Sequence, residues 1–520
     1  MKEKEKNRQK RKNFKIALLS VDDIEVLGIR YLSSALRQKG FETRLVFLPP
    51  IDNNYSKPFT EDVIKQVLNE VKNAELVGIT CVAMNRNKAI QIIKEIKNAM
   101  PEKPVIWGGV YATTSPQECI KHAGIVCIGE GEEAFAELVE KMNEKKAFTK
   151  TRNMWFRKNG KIIKNPVRPP VCVLDSLPFP DYDIKEQLVL ENHKLVQLEE
   201  RHFCGKLNVH TARGCPHKCT YCGSNFFRQL YAGLGPIIRK RSAKGIIQEL
   251  NHSIERLPNT KLIWFTDDVF FVRSIEELKE FAKEYKKEIK IPFQCYVSPL
   301  TINEEKLKIL LDAGLCKVEM GIQTGSERLN KEVYDRNIPN SAVLNAAKIL
   351  NKYAERMELP NYQIINSSPF ETEQDKLETI RLLQELPKPY IHQSFNMAFF
   401  PGTELYNRAL NEGIIGKDDF ASSDMDYGSQ KEVIKHINLK KKNKYLNYLT
   451  WIMSGVVTKR KYGTVPSIMV PVLTSKPMMK IGPHLTFVFP MLYSIFEKTV
   501  KLKRTLGLKE IRQAKTKDLK

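Results

Sequence analysis

The chain has 520 residues, of which 42% are hydrophobic and 28% charged, and its formal net charge is +24. This length exceeds what one hydrophobic core uses, and the balanced composition excludes a disordered or fibrous chain, so we expect a multidomain globular protein. No run of about 18 apolar residues occurs and the charged N-terminus is followed by no apolar stretch, so neither a transmembrane helix nor a signal peptide is expected. We therefore expect a cytoplasmic protein.

The positive charge is concentrated at the two ends of the chain. Residues 1–15 have a net charge of +6 and residues 431–520 one of +16, which leaves +2 for everything between them. A nearly neutral body argues against a nucleic-acid groove through the protein. The basic ends either contact something anionic or are simply solvated.

The first part of the chain alternates between strand-like and helix-like patterns. Alternation of this kind predicts a doubly wound, Rossmann-like parallel sheet that binds its ligand at the carboxyl ends of the strands. We assign residues 14–145 to this α/β domain, behind a basic tail at 1–13. The predicted strands are at 14–21, 42–48, 76–82, 104–109 and 124–129. Glycines stand at the strand ends, although such turns are weak signals by themselves.

Residues 146–204 change character. A hairpin-like RKNGKI and the proline-rich PVRPPVCVLDSLPFPDYD predict a connector between domains. A second series follows at 205–425, in which six strand patterns separated by helical patterns predict a partial (β/α)6 barrel of the TIM type. Such a barrel carries its chemistry at the C-terminal mouth. Residues 426–520 are then a basic, mostly helical C-terminal region.

Three of the ten cysteines lie within eight residues, directly after the first predicted barrel strand. In RGCPHKCTYCG, Cys215, Cys219 and Cys222 have the spacing Cys-x3-Cys-x2-Cys. Three thiolates on one loop can bind three irons of a cubane cluster and leave the fourth iron open as a reaction site. A structural zinc site would need a fourth ligand. His210 and His217 are nearby, but structural zinc sites usually have two Cys/His pairs.

With Tyr221 before the third cysteine, this loop resembles the signature of the radical S-adenosylmethionine (radical SAM) superfamily. The resemblance covers nearly all of residues 14–425. The segments DIEVLGIRYLSSALRQKGFE, GGVYATTSPQECI and IGEGEEAFAELV resemble the N-terminal cobalamin-binding domain of one large radical SAM subgroup. LDSLPFPDYD resembles that subgroup's linker, and FTDDVFF, GIQTGSERL and FFPGTELY resemble its barrel strands.

The resemblance implies a [4Fe-4S] cluster held by Cys215, Cys219 and Cys222. Its open iron would chelate the amino and carboxylate groups of SAM, and the reduced cluster would split SAM into methionine and a 5′-deoxyadenosyl radical. Tyr221 would be a catalytic and cofactor-binding residue that lies against the adenine. The 5′-deoxyadenosyl radical would remove a hydrogen atom from an unactivated carbon of the substrate.

Five further residues are implied as SAM contacts. Thr266, Asp267 and Asp268 match the position that contacts the methionine amine, and Ser298 and Gln323 match the ribose side. At the last two positions the superfamily more often has Arg and Glu, so the sequence departs from the common pattern there. Because neighbouring strand residues point to opposite faces, Asp267 and Asp268 cannot form one acid/base pair.

For the N-terminal domain, the resemblance implies that segments 20–28, 80–85, 108–113 and 129–132 surround the corrin and its nucleotide tail. The implied contact residues are Gly108, Gly109, Thr113, Gly129, Glu130 and Gly131. No Asp-x-His-x-x-Gly motif occurs, so we expect no histidine on the cobalt, and subgroup members of this kind bind cobalamin without its own base there either. A Rossmann-like domain that has lost its ligand is the alternative.

The leading prediction of activity is methylation of an unactivated carbon. The alternative is a cobalamin-dependent rearrangement, cyclisation or C–C bond formation without net methylation. A tRNA methylthiotransferase would need an extra cysteine-bearing domain and an RNA-binding β-barrel, and neither pattern is seen. A sensing module is disfavoured by the complete barrel signals. Expected partners are a small-molecule or lipid-like substrate and an electron donor such as flavodoxin or ferredoxin, with no nucleic acid.

The last ninety residues match no known motif. Helical patterns alternate there with basic clusters, and IGPHLTFVFPMLYSIF is mostly apolar but interrupted by Pro483 and Pro490. This composition predicts either a helical cap packed on the barrel or a segment that lies at the inner membrane face, with lysines toward anionic headgroups. The second arrangement would suit a lipid-like substrate.

Overall fold

The computed structural model describes residues 14–51, 57–416 and 441–484. They form two α/β domains, each built on a nine-stranded sheet. The basic tail at 1–13 and most of the apolar run that contains Pro490 lie outside the described residues.

The N-terminal domain has the predicted doubly wound sheet, with parallel strands in its centre and helices on both faces. Its strand order is 7-6-5-4-3-1-2-8-9. The strands are β1 Lys15–Ser20, β2 Glu42–Phe47, β3 Leu76–Thr80, β4 Val105–Gly108, β5 Gly124–Cys127, β6 Met154–Lys158, β7 Lys161–Lys164, β8 Gln187–Glu191 and β9 Lys194–Gln197. The helices are α1 Leu27–Gln38, α2 Glu61–Val71, α3 Arg86–Ala99, α4 Gly109–Thr114, α5 Pro116–Ala123 and α6 Glu132–Asn143.

The segment that the sequence presents as a connector supplies four strands of this sheet. The hairpin β6–β7 extends one edge, while β8 pairs in parallel with β2 at the other edge and β9 follows antiparallel. All four residues of β7 are exposed, because this edge strand covers no part of the core. The sequence of β7 therefore lacks the alternation of apolar and polar residues that would mark it as a strand of the sheet.

The second domain contains the predicted partial barrel. Its parallel strands are β10 Lys206–Val209, β13 Leu262–Phe265, β14 Phe293–Val297, β15 Leu315–Gln323, β16 Asn361–Asn366 and β17 Tyr390–Asn396. A two-stranded ribbon, β11 Ala212–Arg213 and β12 Arg239–Lys240, stands at the mouth. The helices are α7 Gly223–Leu230, α8 Ala243–Arg256, α9 Ile275–Glu288, α10 Glu304–Ala313, α11 Asn340–Lys352, α12 Glu373–Glu385 and α13 Glu404–Asn411.

The two faces of the barrel sheet differ in chemistry. The face under the helices is apolar and aromatic; the Phe265 ring, for example, lies 5.3 Å from that of Phe293. The inner face is polar: the Gln363 amide donates to Glu319 at 2.8 Å, and the Lys317 ammonium lies 3.2 Å from the same carboxylate. A polar inner face suits a ligand that has hydrogen-bonding groups.

The described part of the C-terminal region packs on the barrel. It comprises α14 Lys441–Ile452, β18 Gly455–Val457, β19 Lys461–Tyr462, β20 Val465–Pro466, α15 Met469–Leu473 and α16 Lys476–Ile481. β18 pairs antiparallel with β17, and the Asn366 amide donates to the carbonyl of Asn447 in α14 at 3.0 Å. Among residues 14–51, 57–416 and 441–484, no helix is both long and apolar enough to cross a bilayer.

Buried polar contacts hold the two domains together. Arg30 of α1 is fully buried and donates to the carbonyl of Asp181 at 2.8 Å and to the Gln187 side chain at 2.7 Å. Beside it, the Tyr31 hydroxyl donates to Glu249 of α8 at 2.7 Å. These partners are far apart in the chain, so they fix α1 against both the connector and the barrel.

Candidate active site between the two domains

A cavity of about 650 Å³ lies between the domains, at the carboxyl ends of strands from both sheets. The side that belongs to the N-terminal domain, here called the N-terminal wall, is formed by the segments that follow β1, β3, β4 and β5. The opposite side, the barrel wall, is formed by the ends of β10 and β13 and by the cysteine loop. Parallel sheets of this kind bind their ligands at this edge. The structure thus places the ligand edges of two domains around one space.

The predicted cobalamin contacts lie on the N-terminal wall. Gly129 has a φ of +75°, and a Cβ at that position would stand 2.2 Å from the Tyr231 hydroxyl, so only glycine fits this turn. Its N–H donates to the Thr113 hydroxyl at 3.0 Å. The predicted residues that line the cavity are Gly108, Gly109, Thr113, Gly129, Glu130 and Gly131. Their individual roles toward the cofactor stay predictions.

Glu130 is tied to the barrel as well as lining the cavity. Its carboxylate lies 2.6 Å from Arg239 and 3.2 Å from Arg213, and it accepts the Val171 N–H at 3.1 Å. Burial would raise the pKa of Glu130, but the two guanidinium groups hold it below its ordinary value. The charged side chain of Glu130 therefore connects the N-terminal domain to the barrel domain through two ion pairs.

The cysteine loop forms part of the barrel wall. Cys215 lines the cavity, Cys219 is buried and Cys222 directly precedes α7. Thr220 holds the loop in place, since its N–H donates to the Tyr334 carbonyl at 3.0 Å and its hydroxyl to the Val333 carbonyl at 2.6 Å. The loop thus brings Cys215 to the cavity, and Cys219 and Cys222 follow it within seven positions of the chain.

The thiols lie close enough to influence one another. Burial and, to a smaller degree, the nearby Asp268, Cys222 and Cys219 raise the pKa of Cys215 to about 12. Burial also raises the pKa of Cys219 and Cys222. With raised pKa values, these thiols stay protonated when no metal is bound. The positive charge of a multi-iron centre would stabilise them as thiolates.

The histidines near the loop have other partners. His217 Nε2 lies 2.7 Å from the Ser298 hydroxyl, and His210 Nδ1 lies 3.4 Å from the Thr266 hydroxyl. Burial and the charge of Arg336 lower the pKa of His217 to about 4. The donor set of the loop is therefore three thiols, which favours the iron–sulfur interpretation over a four-ligand zinc site.

The three predicted amine contacts separate into two groups. Thr266 and Asp268 line the cavity, whereas Asp267 points into the protein and is completely buried. The Asp267 carboxylate accepts the Thr211 hydroxyl at 2.6 Å and pairs with Arg273 at 3.0 Å. This geometry gives Asp267 a supporting role under the strand that leads into the cysteine loop. A role in binding SAM stays a prediction for Thr266 and Asp268.

The remaining predicted residues lie outside the lining of the described cavity. The Tyr221 ring meets that of Tyr334 edge-on, with centroids 5.1 Å apart. Ser298 directly follows β14 and contacts His217, and Gln323 ends β15 with a φ of +72°. Their assignments to the adenine and the ribose stay predictions.

Sequence reasoning missed two buried arginines near the loop. Arg336 donates to the carbonyls of Ile322 and Gly321, both at 2.6 Å, and its charge acts on the thiol of Cys219. Arg239 pairs with Glu130 across the domain boundary. Neither arginine belongs to a motif with a recognisable spacing, so only the fold brings them to the site.

The cavity makes Gly28 a place to block ligand binding without straining the chain. Gly28 lies in the first turn of α1 and lines the cavity, and a Cβ there would meet no atom within 4 Å. We expect Gly28→Phe to keep its iron content and Tm but to bind hydroxocobalamin at least about tenfold more weakly, because the ring occupies the cavity. Gln38→Phe, exposed at the end of the same helix, is the control. Unchanged cobalamin affinity in Gly28→Phe would contradict this placement.

Asp22 predicts a pH dependence of stability. Burial raises its pKa to about 6 from an ordinary value near 3.8, while Asn85 and the Val82 N–H act in the opposite direction. A raised carboxyl pKa means that stability falls as pH rises through about 4 to 6, because the folded state must then hold a buried charge. We therefore expect Asp22→Asn to increase the free energy of unfolding by about 1–3 kcal/mol at pH 8 and to change it little near pH 4. Urea titrations at both pH values, with the exposed Asp62→Asn as control, measure this, and an equal effect at the two pH values would refute it.

The fold and the cavity define a class of protein. One domain offers the ligand edge of a doubly wound sheet, and the other offers the cysteine loop at the mouth of a partial barrel, with Cys215 in the lining of the same cavity. This is the arrangement of an enzyme whose two domains bind cofactors on opposite walls of one cavity.

Comparisons with known proteins agree with this class. Residues 16–139 match the B12 binding domain family and residues 209–383 match the Radical SAM superfamily. The chain is 24% identical over 393 residues to an uncharacterized methyltransferase of Pyrococcus horikoshii, covering 75% of this chain and 79% of the relative. It is also 24% identical over 326 residues to the anaerobic magnesium-protoporphyrin IX monomethyl ester cyclase of Rubrivivax gelatinosus, covering 58% of this chain and 53% of the cyclase.

A solved structure has the same two-domain fold. The radical SAM methyltransferase TsrM of Kitasatospora setae superposes with a TM-score of 0.60 at 16% identity, covering 76% of each chain. The chain belongs to the radical SAM superfamily, in the group that carries an N-terminal B12 binding domain. Its cofactors are a [4Fe-4S] cluster, SAM and cobalamin, as the sequence predicted.

The residues around the cavity fit these cofactors. Val82 and Val110 project from the N-terminal wall with 41% and 51% of their surface exposed, and apolar side chains open to a cavity suit the face of a flat macrocycle. Opposite them, Cys215 brings the three-thiol loop to the same cavity. Glycine-rich strand ends leave room for a large cofactor between the two walls.

Proposed function

We propose that this enzyme methylates a carbon atom of a small molecule that carries polar groups. The observation that supports this most strongly is the shared cavity, in which the strand ends of the B12 binding domain face the cysteine loop. When bound, the reduced cluster cleaves SAM and cobalamin supplies a methyl group. Two of the proteins to which the chain is similar are described as methyltransferases.

In this proposal the residues of the chain bind and orient. Cys215, Cys219 and Cys222 hold the cluster, and Thr266 and Asp268 receive the SAM amine at the end of β13. A carboxylate at that position can accept hydrogen bonds from the amino group. The position of the cavity between two domains limits the access of water to reactive groups that water would quench.

The polar inner face of the barrel supports a substrate that has hydrogen-bonding groups. Besides the Glu319 contacts, the Asn361 amide donates to Gln393 at 2.8 Å on the same face. A purely apolar substrate on this face would displace water from the hydrogen-bonding capacity that these mutual contacts leave unused, which costs free energy. We therefore propose a polar or amphiphilic small molecule.

The test is an anaerobic assay with isotopically labelled SAM. Reconstituted protein receives dithionite, hydroxocobalamin, SAM with a trideuterated methyl group, and small molecules extracted from the source cells. Methylation gives 5′-deoxyadenosine, S-adenosylhomocysteine and a product that carries the label, because one SAM is cleaved and another donates its methyl group. The alternative, suggested by the cyclase relative, gives 5′-deoxyadenosine and a product without label. That outcome would overturn the proposed methylation.

We also propose that the C-terminal region brings the enzyme to an anionic lipid surface. Ile468, which directly precedes α15, Val472 in α15 and Ile481 in α16 are 81%, 51% and 54% exposed, and Lys476 and Lys480 also lie in α16. Exposed apolar side chains beside lysines suit the interface of an anionic membrane, where each lysine contributes about 1 kcal/mol.

Flotation of the full-length protein with phosphatidylserine vesicles tests this surface. We expect binding that weakens as salt rises and that falls further in a double variant, Ile468→Ser with Val472→Ser. Ile162→Ser with Ile163→Ser, at the exposed edge strand β7, is the matched control. No flotation even at low salt would remove the membrane proposal and leave the region as a cap on the barrel.

A further inference from the structure

Arg213 joins the two walls of the cavity. It lies two residues before Cys215, and its guanidinium reaches across the domain boundary to the turn between β5 and α6. Nη2 pairs with Oε1 of Glu132, and Nη1 lies 3.2 Å from Oε2 of Glu130. Both carboxylates belong to the turn that the sequence predicts to contact cobalamin. The cysteine loop and this turn are thus connected by one side chain.

The connection is buried and supported from both sides. The side chain of Arg213 is 18% exposed, and those of Glu130 and Glu132 are 14% and 8% exposed. Arg239 pairs with the other oxygen of Glu130 at 2.6 Å from the neighbouring strand of the ribbon, where it stands opposite Arg213. Two carboxylates and two guanidinium groups balance each other, so displacing one of them leaves a buried charge without its partner, which is costly.

The step from Arg213 to the cysteine is short. Gly214 lies between them with a φ of +96°, and it packs so closely on the neighbouring segment that a Cβ there would stand 1.9 Å from the Ile237 carbonyl oxygen. Arg213, Gly214 and Cys215 all line the cavity, as do Glu130 and Glu132. The ion pairs of Arg213 therefore connect the turn at 129–132 to a residue that stands two positions before Cys215.

We propose that Arg213 is a positioning residue through which occupancy of the cobalamin site and assembly of the iron–sulfur loop strengthen each other. By linkage, if cobalamin orders the turn that holds Arg213, the cluster must raise the affinity for cobalamin by the same factor by which cobalamin raises the affinity for the cluster. This inference goes beyond the proposed methylation. Its test contains no substrate, so failure of the coupling and failure of the proposed methylation can be distinguished.

The test is a thermodynamic cycle with hydroxocobalamin as the probe. Its Kd is measured by equilibrium dialysis for the anaerobically reconstituted protein and for the same protein after removal of iron by a chelator. We expect the cluster-loaded wild type to bind at least about fivefold more tightly. In Arg213→Gln we expect this ratio to fall to near one, and in Arg213→Lys, which retains one charge but not the two-point contact, to an intermediate value.

Arg168→Gln is the matched control. Arg168 also pairs with two glutamates of α6, Glu137 at 2.6 Å and Glu133 at 3.5 Å, but it lies outside the cavity lining. In Arg168→Gln, the ratio of the hydroxocobalamin Kd values without and with the cluster should equal that of the wild type. Iron content and Tm are measured for every variant, and if Arg213→Gln is unfolded the comparison rests on Arg213→Lys. The proposal is overturned if the wild type binds hydroxocobalamin equally well with and without the cluster. It is also overturned if both Arg213 variants keep the full wild-type ratio of the two Kd values.

Discussion

Replacing Cys219 with alanine will remove the cluster and abolish cleavage of SAM. A three-thiolate site that loses one ligand leaves two irons without protein donors, and a cubane held by two thiolates is unstable. We expect iron in the anaerobically purified variant to fall from about four per chain to near background, and 5′-deoxyadenosine to decrease at least about a hundredfold. Iron analysis, the brown absorbance and product chromatography measure these changes.

Cys204→Ala is the control for this prediction. Cys204 is exposed and lies outside the three-cysteine loop, so its replacement should leave iron and activity unchanged. A triple variant at Cys215, Cys219 and Cys222 that kept its iron would show that the cluster is held elsewhere.

Gly214→Ala is expected to damage the cluster site without touching a ligand. Its φ of +96° strains any residue with a side chain, and the new Cβ would stand 1.9 Å from the backbone oxygen of Ile237, which cannot rotate away. We expect the free energy of unfolding to fall by about 2–4 kcal/mol and iron incorporation to fall at least about twofold. Urea unfolding and iron analysis after reconstitution test both effects.

Gly223→Ala is a matched substitution on the other side of the loop. Gly223 directly follows Cys222, and a Cβ there would meet no atom within 4 Å. Alanine should therefore be tolerated in the folded chain, with iron content and unfolding free energy near the wild-type values. Equal losses in the two variants would mean that the loop rejects any change, and the backbone argument for Gly214 would be wrong.

The sequence alone predicted the central strands and helices of both domains closely. A strand predicted at 293–298 is observed at Phe293–Val297, and the helix predicted at 304–313 is observed at Glu304–Ala313. Parallel strands buried on both faces produce continuous apolar runs, and the amphipathic helices between them have a distinct period, so both signals are local.

The same locality explains why the sequence alone supports the prediction of a cluster site. Cys215, Cys219 and Cys222 lie within one short segment, so their spacing carries the chemistry without reference to the fold. The strand-end glycines were likewise marked by their position after apolar runs. Together these signals determined the superfamily, the two domains and the cofactors.

Tertiary structure decided which of these residues meet. β8 joins the N-terminal sheet by pairing Leu45 with Gln187, and no pattern within the connector specifies so distant a partner. Arg213 and Glu132 are 81 positions apart, yet they form the contact between the two walls of the cavity. A hydrogen bond or ion pair leaves no periodic trace in a chain, because it depends on two side chains that only the packing of the domains brings together.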